Sequence, residues 1–94
     1  MTSAPEATVT VSAENQWTDW IEMVKNETRA LSISDVTNST VTLQRRLDGT
    51  TAVAVDTWTV DAEEDYYASA RQAIRLGVAT GDYGTDSPQL EIRD

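Results

Sequence analysis

Between Ala30 and Val60 apolar and polar residues alternate with a period of two, and turn residues break the alternation at short intervals. A period of two belongs to an extended backbone, whose side chains point to opposite faces in turn. Ala30-Leu31-Ser32-Ile33-Ser34 puts Leu31 and Ile33 on one face, Asp35 to Ser39 reads as a turn, and Thr40-Val41-Thr42-Leu43-Gln44 turns Val41 and Leu43 inward. Asp48-Gly49 is a two-residue hairpin signal before Thr51 to Val60, where Val53, Val55 and Thr57 share a face. Trp58 and Val60 sit on the parity opposite to Thr57, so either a bulge intervenes or the other face is covered too. Consecutive antiparallel strands are the expectation for this stretch.

The flanks extend the pattern. Met1 to Glu6 is small and polar with Pro5, which predicts a flexible N-terminal arm over residues 1–7 ahead of a single domain over 8–94. Thr8-Val9-Thr10-Val11 alternates with β-branched residues and reads as a short strand. After a polar turn at Glu14-Asn15-Gln16, Trp17, Ile21 and Val24 fit a helical face, while Trp20 to Val24 equally begins a strand. Asp61 followed by Glu64 makes a capping box, which predicts a short helix over 62–69. A strand near 71–79 follows through Ile74, Leu76 and Val78, then a loop over 81–88, and Gln89 to Arg93 closes the chain with Leu90 and Ile92 facing alike. Six or seven short strands predict an all-β fold, a small antiparallel β-sandwich, Ig-like or jelly-roll-like, with a short helix near 62–69. Fourteen Thr and nine Val against four Gly favour the same reading.

Ninety-four residues suit one domain whose core alone is marginal, which makes oligomerisation a serious option. The chain has no Cys and no His, which removes thiol redox centres, Cys/His zinc clusters, Ser-His-Asp triads and imidazole acid/base chemistry. Sixteen acidic against seven basic residues give a net charge of −9, which repels nucleic acid and anionic membranes at long range. No apolar run is long enough to span a bilayer, and the first twenty residues lack a signal-peptide pattern, so neither a membrane segment nor a conventional leader is expected.

The acidic run Asp61, Glu63, Glu64, Asp65 is the densest charge cluster; a solvated turn or helix start is its plainest reading, with a partner contact or a catalytic pair behind it. Asp82, Gly84 and Asp86 could offer oxygens to Ca²⁺, but they lack the twelve-residue ligand spacing and bidentate Glu of an EF-hand. No phosphate-cradling glycine motif is present, and no catalytic residue, cofactor or metal is assigned. Arg45 and Arg46 are adjacent in an alternating strand and so point to opposite faces, one of them placed to meet carboxylates. Trp58 in a strand of so small a domain is expected in the core. Trp17, Trp20, Tyr66, Tyr67 and Tyr83 have most interface potential, since large amphipathic rings bury area at low entropic cost, whether against protein or against sugar. Asn26-Glu27-Thr28 and Asn38-Ser39-Thr40 match the glycosylation sequon and carry little weight without a secretory signal.

Val41-Thr42-Leu43-Gln44-Arg45-Arg46-Leu47-Asp48-Gly49-Thr50-Thr51 followed by Arg75-Leu76-Gly77-Val78-Ala79-Thr80-Gly81-Asp82-Tyr83 resembles small β-sandwich proteins of tailed bacteriophages. Those proteins carry a "VTLQRSxDGGTTW" hairpin and a later "YRLGVKTGDYTSG" strand and turn. The two motifs cover about a fifth of the chain, and the likeness in strand order runs from about 29 to 93. This sequence departs from the pattern where the Gly-Gly of the hairpin is reduced to Gly49, where Ala52 replaces the Trp, and where Asp61 to Gln72 is longer and more acidic.

The resemblance implies a virion component without an enzymatic site. The leading expectation is a protein that decorates the outer capsid surface and stabilises it by bridging neighbouring capsid subunits. Its partners would be the major capsid protein and copies of itself, with a trimer as the candidate assembly, and no nucleic acid and no membrane. Trp17, Trp20, Arg45, Tyr67 and Tyr83 are the expected contact residues. A tail or head-tail connector protein, a carbohydrate-binding module and an acidic inhibitor or nucleic-acid mimic are the rival readings, the last without any phosphate-like spacing of carboxylates to support it.

Overall fold

The computed structural model describes residues 6–47 and 49–93. Among the described residues nine strands follow one another: β1 (Ala7–Thr10), β2 (Gln16–Trp17), β3 (Ile21–Met23), β4 (Thr28–Ser34), β5 (Val41–Arg46), β6 (Val53–Trp58), β7 (Ala62–Tyr67), β8 (Gln72–Val78) and β9 (Gln89–Arg93). All pairings are antiparallel. The first sheet has the order β1-β9-β4-β7; the second runs β2-β8-β5-β6, with β3 following β2 along the same side of β8. Together they form a sandwich-like domain of 36 × 31 × 17 Å, whose short dimension is the thickness of two packed sheets.

The alternation in sequence becomes the core. Leu31 and Ile33 on β4 and Leu90 and Ile92 on β9 face Ile74, Leu76 and Val78 on β8 and Val41 and Leu43 on β5, all of them buried. Removing such aliphatic side chains from water stabilises the fold by about 1.5–3 kcal/mol each. Arg29 shares the inward parity of Leu31 and is only 3 % exposed, so its charge must be met locally. Glu27, two residues earlier, meets it with an ion pair of 3.0 Å.

The expected all-β sandwich stands, and four details of the expectation are corrected. Nine strands replace six or seven, because the ambiguous stretch Trp17 to Val24 supplies two short strands and residues 62–67 supply another. No helix occurs among the described residues. Asp61 caps no helix; its carboxylate accepts the Val36 amide at 2.9 Å, and β7 pairs with β4 over six positions, from Thr28 and Tyr67 to Ile33 and Ala62. Ala62, Glu64 and Tyr66 then take the parity that faces the core, and a ladder with a buried neighbour outweighs local helix propensity.

The third correction concerns β6. Val53 and Val55 were expected inward, yet they are 53 % and 42 % exposed, and Thr57 is exposed as well. As the outermost strand of its sheet β6 has a neighbour on one side, and only Trp58, at 8 %, is tucked inside. Of the two alternatives left by the switch of parity, the bulge is the one present: the ladder shifts between Leu43 and Gln44, so that Asp56 opposes Leu43, Ala54 opposes Gln44 and Val55 is the extra residue. Finally, β5 and β6 are joined by residues 47–52 rather than by a two-residue turn. Gly49 there holds φ +82°, the left-handed conformation that glycine adopts without cost; Asp48 lies outside the described residues. The expected arm lies outside the described residues over its first five positions, and Ala7 opens β1 with its side chain buried.

Candidate functional site

The outer face of the second sheet carries the densest polar and aromatic array. Along β8, Ala73, Arg75 and Gly77 alternate with the buried Ile74, Leu76 and Val78 and so point away from the core. Trp17 pairs with Gly77 across the β2–β8 ladder and lies against it; a methyl group at Gly77 would stand 2.5 Å from the Trp17 ring carbons. The missing side chain lets the indole rest on bare backbone. Asn15, held at φ 59°, accepts the Trp17 Nε1–H at 3.1 Å and fixes the ring's azimuth.

Trp20 reaches the same face because the edge strand is interrupted. Three residues apart on a regular strand, Trp17 and Trp20 would point to opposite sides. Trp17 pairs with Gly77 but Ile21 with Ile74, so one extra residue is accommodated between β2 and β3. Buried Thr18 pins that irregularity: its amide donates to the Leu76 carbonyl at 2.8 Å, and its Oγ1 accepts the Leu76 amide at 3.1 Å.

On this face the guanidinium of Arg75 lies 4.3 Å from the Trp17 ring centroid and 4.6 Å from that of Trp20, and Arg46 lies 4.3 Å from Trp20. Each contact is worth about 0.5–2 kcal/mol, more where water is excluded. Gln44 accepts the Arg75 Nε–H at 2.9 Å. Burial, and then the charge of Arg46, push the Arg75 guanidinium below its ordinary value. The Arg46 Nε–H is shielded from water without a hydrogen-bond partner. Among the described residues neither Arg46 nor Arg75 is paired with a carboxylate. The array is a fixed pair of positive charges on a rigid sheet, held by rings that are themselves covered by the guanidinium groups.

The outer face of the first sheet has the opposite character. Ala30, Ser32 and Ser34 on β4 are small, and beside them on β7 stand Glu63, Asp65 and Tyr67. A shallow, open depression of about 400 Å³ runs between Ala30, Ser32, Glu63, Asp65 and Arg93. Glu64 turns to the edge of the sandwich, where it accepts the Trp58 Nε1–H at 2.9 Å and ties β7 to β6.

The loop considered for Ca²⁺ is a structural clasp. Asp86 Oδ2 accepts the amides of Thr37, Asn38 and Ser39 at 2.7, 3.0 and 3.2 Å, and its other oxygen takes the Ser39 hydroxyl. Partial desolvation works against ionisation, but the Ser39 hydroxyl and then the amides of Asn38, Thr37 and Ser39 outweigh it and hold the carboxyl well below the usual range. Asn38 returns the contact, accepting the Thr85 amide at 2.9 Å and the Asp86 amide at 3.2 Å. Gly84 packs on Asn38 with no room for a side chain. Both Asp86 oxygens serve the turn, and no cluster of carboxylates with metal-holding geometry occurs among the described residues.

Of the contact residues expected from sequence, Trp17 and Trp20 are brought together on one face. Arg45 falls on the opposite parity from Arg46, as alternation requires, and flanks a separate apolar depression with Leu47, Thr51 and Val53. Tyr67 is 55 % exposed on β7 with its hydroxyl donating to Asn26, on the far sheet from the tryptophans. Tyr83 packs against the core. Tyr66 likewise turns inward, donating to Gln72 at 2.5 Å. Sequence reasoning missed Arg75, Gln44 and the role of Gly77. Their signal was present in the parity of β8, where Arg75 and Gly77 occupy the outward positions of a strand whose inward ones are Ile74, Leu76 and Val78. No helix among the described residues is long and apolar enough to cross a membrane. No family model matches this chain, and no curated protein or solved structure matches it.

Proposed function

We propose that the chain is a non-enzymatic structural component of a virion that decorates the outer capsid surface and stabilises it by bridging neighbouring capsid subunits. The observation that carries the reading is the outward array of Trp17, Arg75, Trp20 and Arg46 on the second sheet, which offers large rings and fixed charges for protein contact. The virion assignment itself rests on the likeness of residues 41–51 and 75–83 to the phage hairpin and strand motifs. In this reading the finer fold is Ig-like, since β4 pairs with β7 in one sheet and β5 with β8 in the other, as strands B and E and strands C and F do in that architecture. The last strand departs from it, because β9 joins β4 and β1 rather than β8.

The partners proposed are the major capsid protein and further copies of the chain, with a trimer as the candidate assembly and a tail or connector position as the rival location. A shell presents many equivalent sites, where modest contacts add up through symmetry. Stacking on sugar is disfavoured, because the guanidinium groups cover the tryptophan faces that a carbohydrate would need. Copy number per purified particle, measured by mass spectrometry against the major capsid protein and paired with localisation by electron microscopy, tests the reading. Hundreds of copies on the shell would support it; a few or a dozen would move the chain to the tail or neck, and absence would overturn it.

A further inference from the structure

We infer that the arginine and tryptophan face of the second sheet is a docking surface for the acidic β7 strand of a second copy of this chain. The inference deepens the reading of the domain as a repeated structural subunit and supplies the contact between copies.

A chain of net charge −9 repels its copies at long range, so attraction between them has to come from local complementarity. That complementarity is concentrated in two places. Arg46 and Arg75 stand on the outer face of the second sheet with no carboxylate partner among the described residues. Glu22 stands on this face, opposite Ala73 and in one depression with Arg46, but pairs with neither arginine. On the far sheet, Glu63 and Asp65 project from β7, an exposed edge strand, beside a floor of Ala30 and Ser32 that Arg93 borders on the other side.

The spacings agree. Gln44 opposes Arg75 and Arg46 opposes Ala73, so the two arginines are diagonal neighbours on adjacent strands, about 7–8 Å apart at the backbone. Glu63 and Asp65 are two residues apart on one face of a strand, a repeat of roughly 6.4–6.8 Å. The two backbone repeats are close enough for one strand of a second copy to present a carboxylate to each guanidinium group, a charge-assisted contact. Tyr67, the next residue on that face, lies beyond Asp65 as an exposed ring. Because donor and acceptor surfaces lie on different sheets, the contact is head-to-tail: it closes into a ring when the rotation permits and propagates when it does not.

Sedimentation velocity of the full chain at about 0.1 mM, from about 0.1 M salt, where the long-range repulsion is largely screened, to about 1 M salt, tests this; the Debye length falls from about 10 to about 3 Å over that range. The expected result is an assembly at low salt whose apparent dissociation constant rises at least about tenfold as salt increases. E63R/D65R is expected to be monomeric, and the fourfold variant E63R/D65R/R46E/R75E to assemble again. Circular dichroism checks each fold. Glu63 and Asp65 are exposed, so E63R/D65R alone decides the matter if reversal at Arg46 and Arg75 unfolds the sheet. A wild-type chain monomeric at low salt, or an assembly unchanged in E63R/D65R, would overturn the inference. The virion reading stands or falls separately on particle copy number, which the salt series does not address.

Discussion

The two outer faces of the sandwich use the same strand geometry to opposite ends. On the first sheet the outward positions of β4 are Ala30, Ser32 and Ser34, and the neighbouring strand supplies carboxylates to solvent. On the second sheet the outward positions of β8 include Ala73 and Gly77, which are just as small but are covered by large side chains from β2, β5 and the link before β3. A small residue on a strand face therefore has two meanings, open floor or seat. What distinguishes them is whether a neighbouring element delivers a ring to fill the space.

Four substitutions break or sharpen that contrast. The largest effect is expected beneath the first sheet, where Glu27→Ala removes the 3.0 Å contact between Glu27 and the buried Arg29; a loss of about 3 kcal/mol should appear as a lower midpoint in chemical denaturation. Gly77→Ala should cost about 1–3 kcal/mol, because its methyl group overlaps the Trp17 ring, and should shift the tryptophan fluorescence as the indole leaves its seat.

Asp86→Asn tests the clasp that joins residues 37–39 to the loop before β9, and should cost about 1–3 kcal/mol at neutral pH. Its pH dependence follows from the depressed carboxyl. The wild-type contribution is complete above the unfolded value of about 3.9 and is lost as pH falls through the lower folded value, so the gap between wild type and variant should narrow below about pH 4. Ser32→Val, an enlargement on the open floor of the first sheet, should stay within about 0.5 kcal/mol. Equal costs for Gly77→Ala and Ser32→Val would remove the distinction between seat and floor.

Much of the architecture was legible in the chain because strand alternation and burial are the same fact seen twice. Val41 and Leu43 were assigned inward and are buried, and so are Leu31 with Ile33, Ile74 with Leu76 and Leu90 with Ile92, each read as alternating residues of one strand. Val53 keeps the inward parity and is exposed, since parity says which face a side chain takes and not whether a second sheet covers it there, while Val55 is the bulged residue and escapes the rule. The stretch at 62–67 misled for a related reason: Asp61 and Glu64 suit a helix start, and only the β4 neighbour makes them strand residues. Of the interaction face, Trp17 and Trp20 were visible as large rings, whereas their meeting was not, because the extra residue at Thr18–Asp19 shows only in the ladder with β8.

By itself the sequence determined an all-β domain, its inward residues and the absence of thiol and imidazole chemistry, all of which are local properties of residue type and spacing. Only the tertiary structure decided which arginine is buried with Glu27, which two lie on tryptophan rings and which aspartate is spent on holding a loop. Those outcomes depend on strand order, register and a one-residue bulge. They bring together residues far apart in the chain, such as Trp17 with Arg75 and Thr37 with Asp86, and no pattern confined to neighbouring positions encodes that meeting.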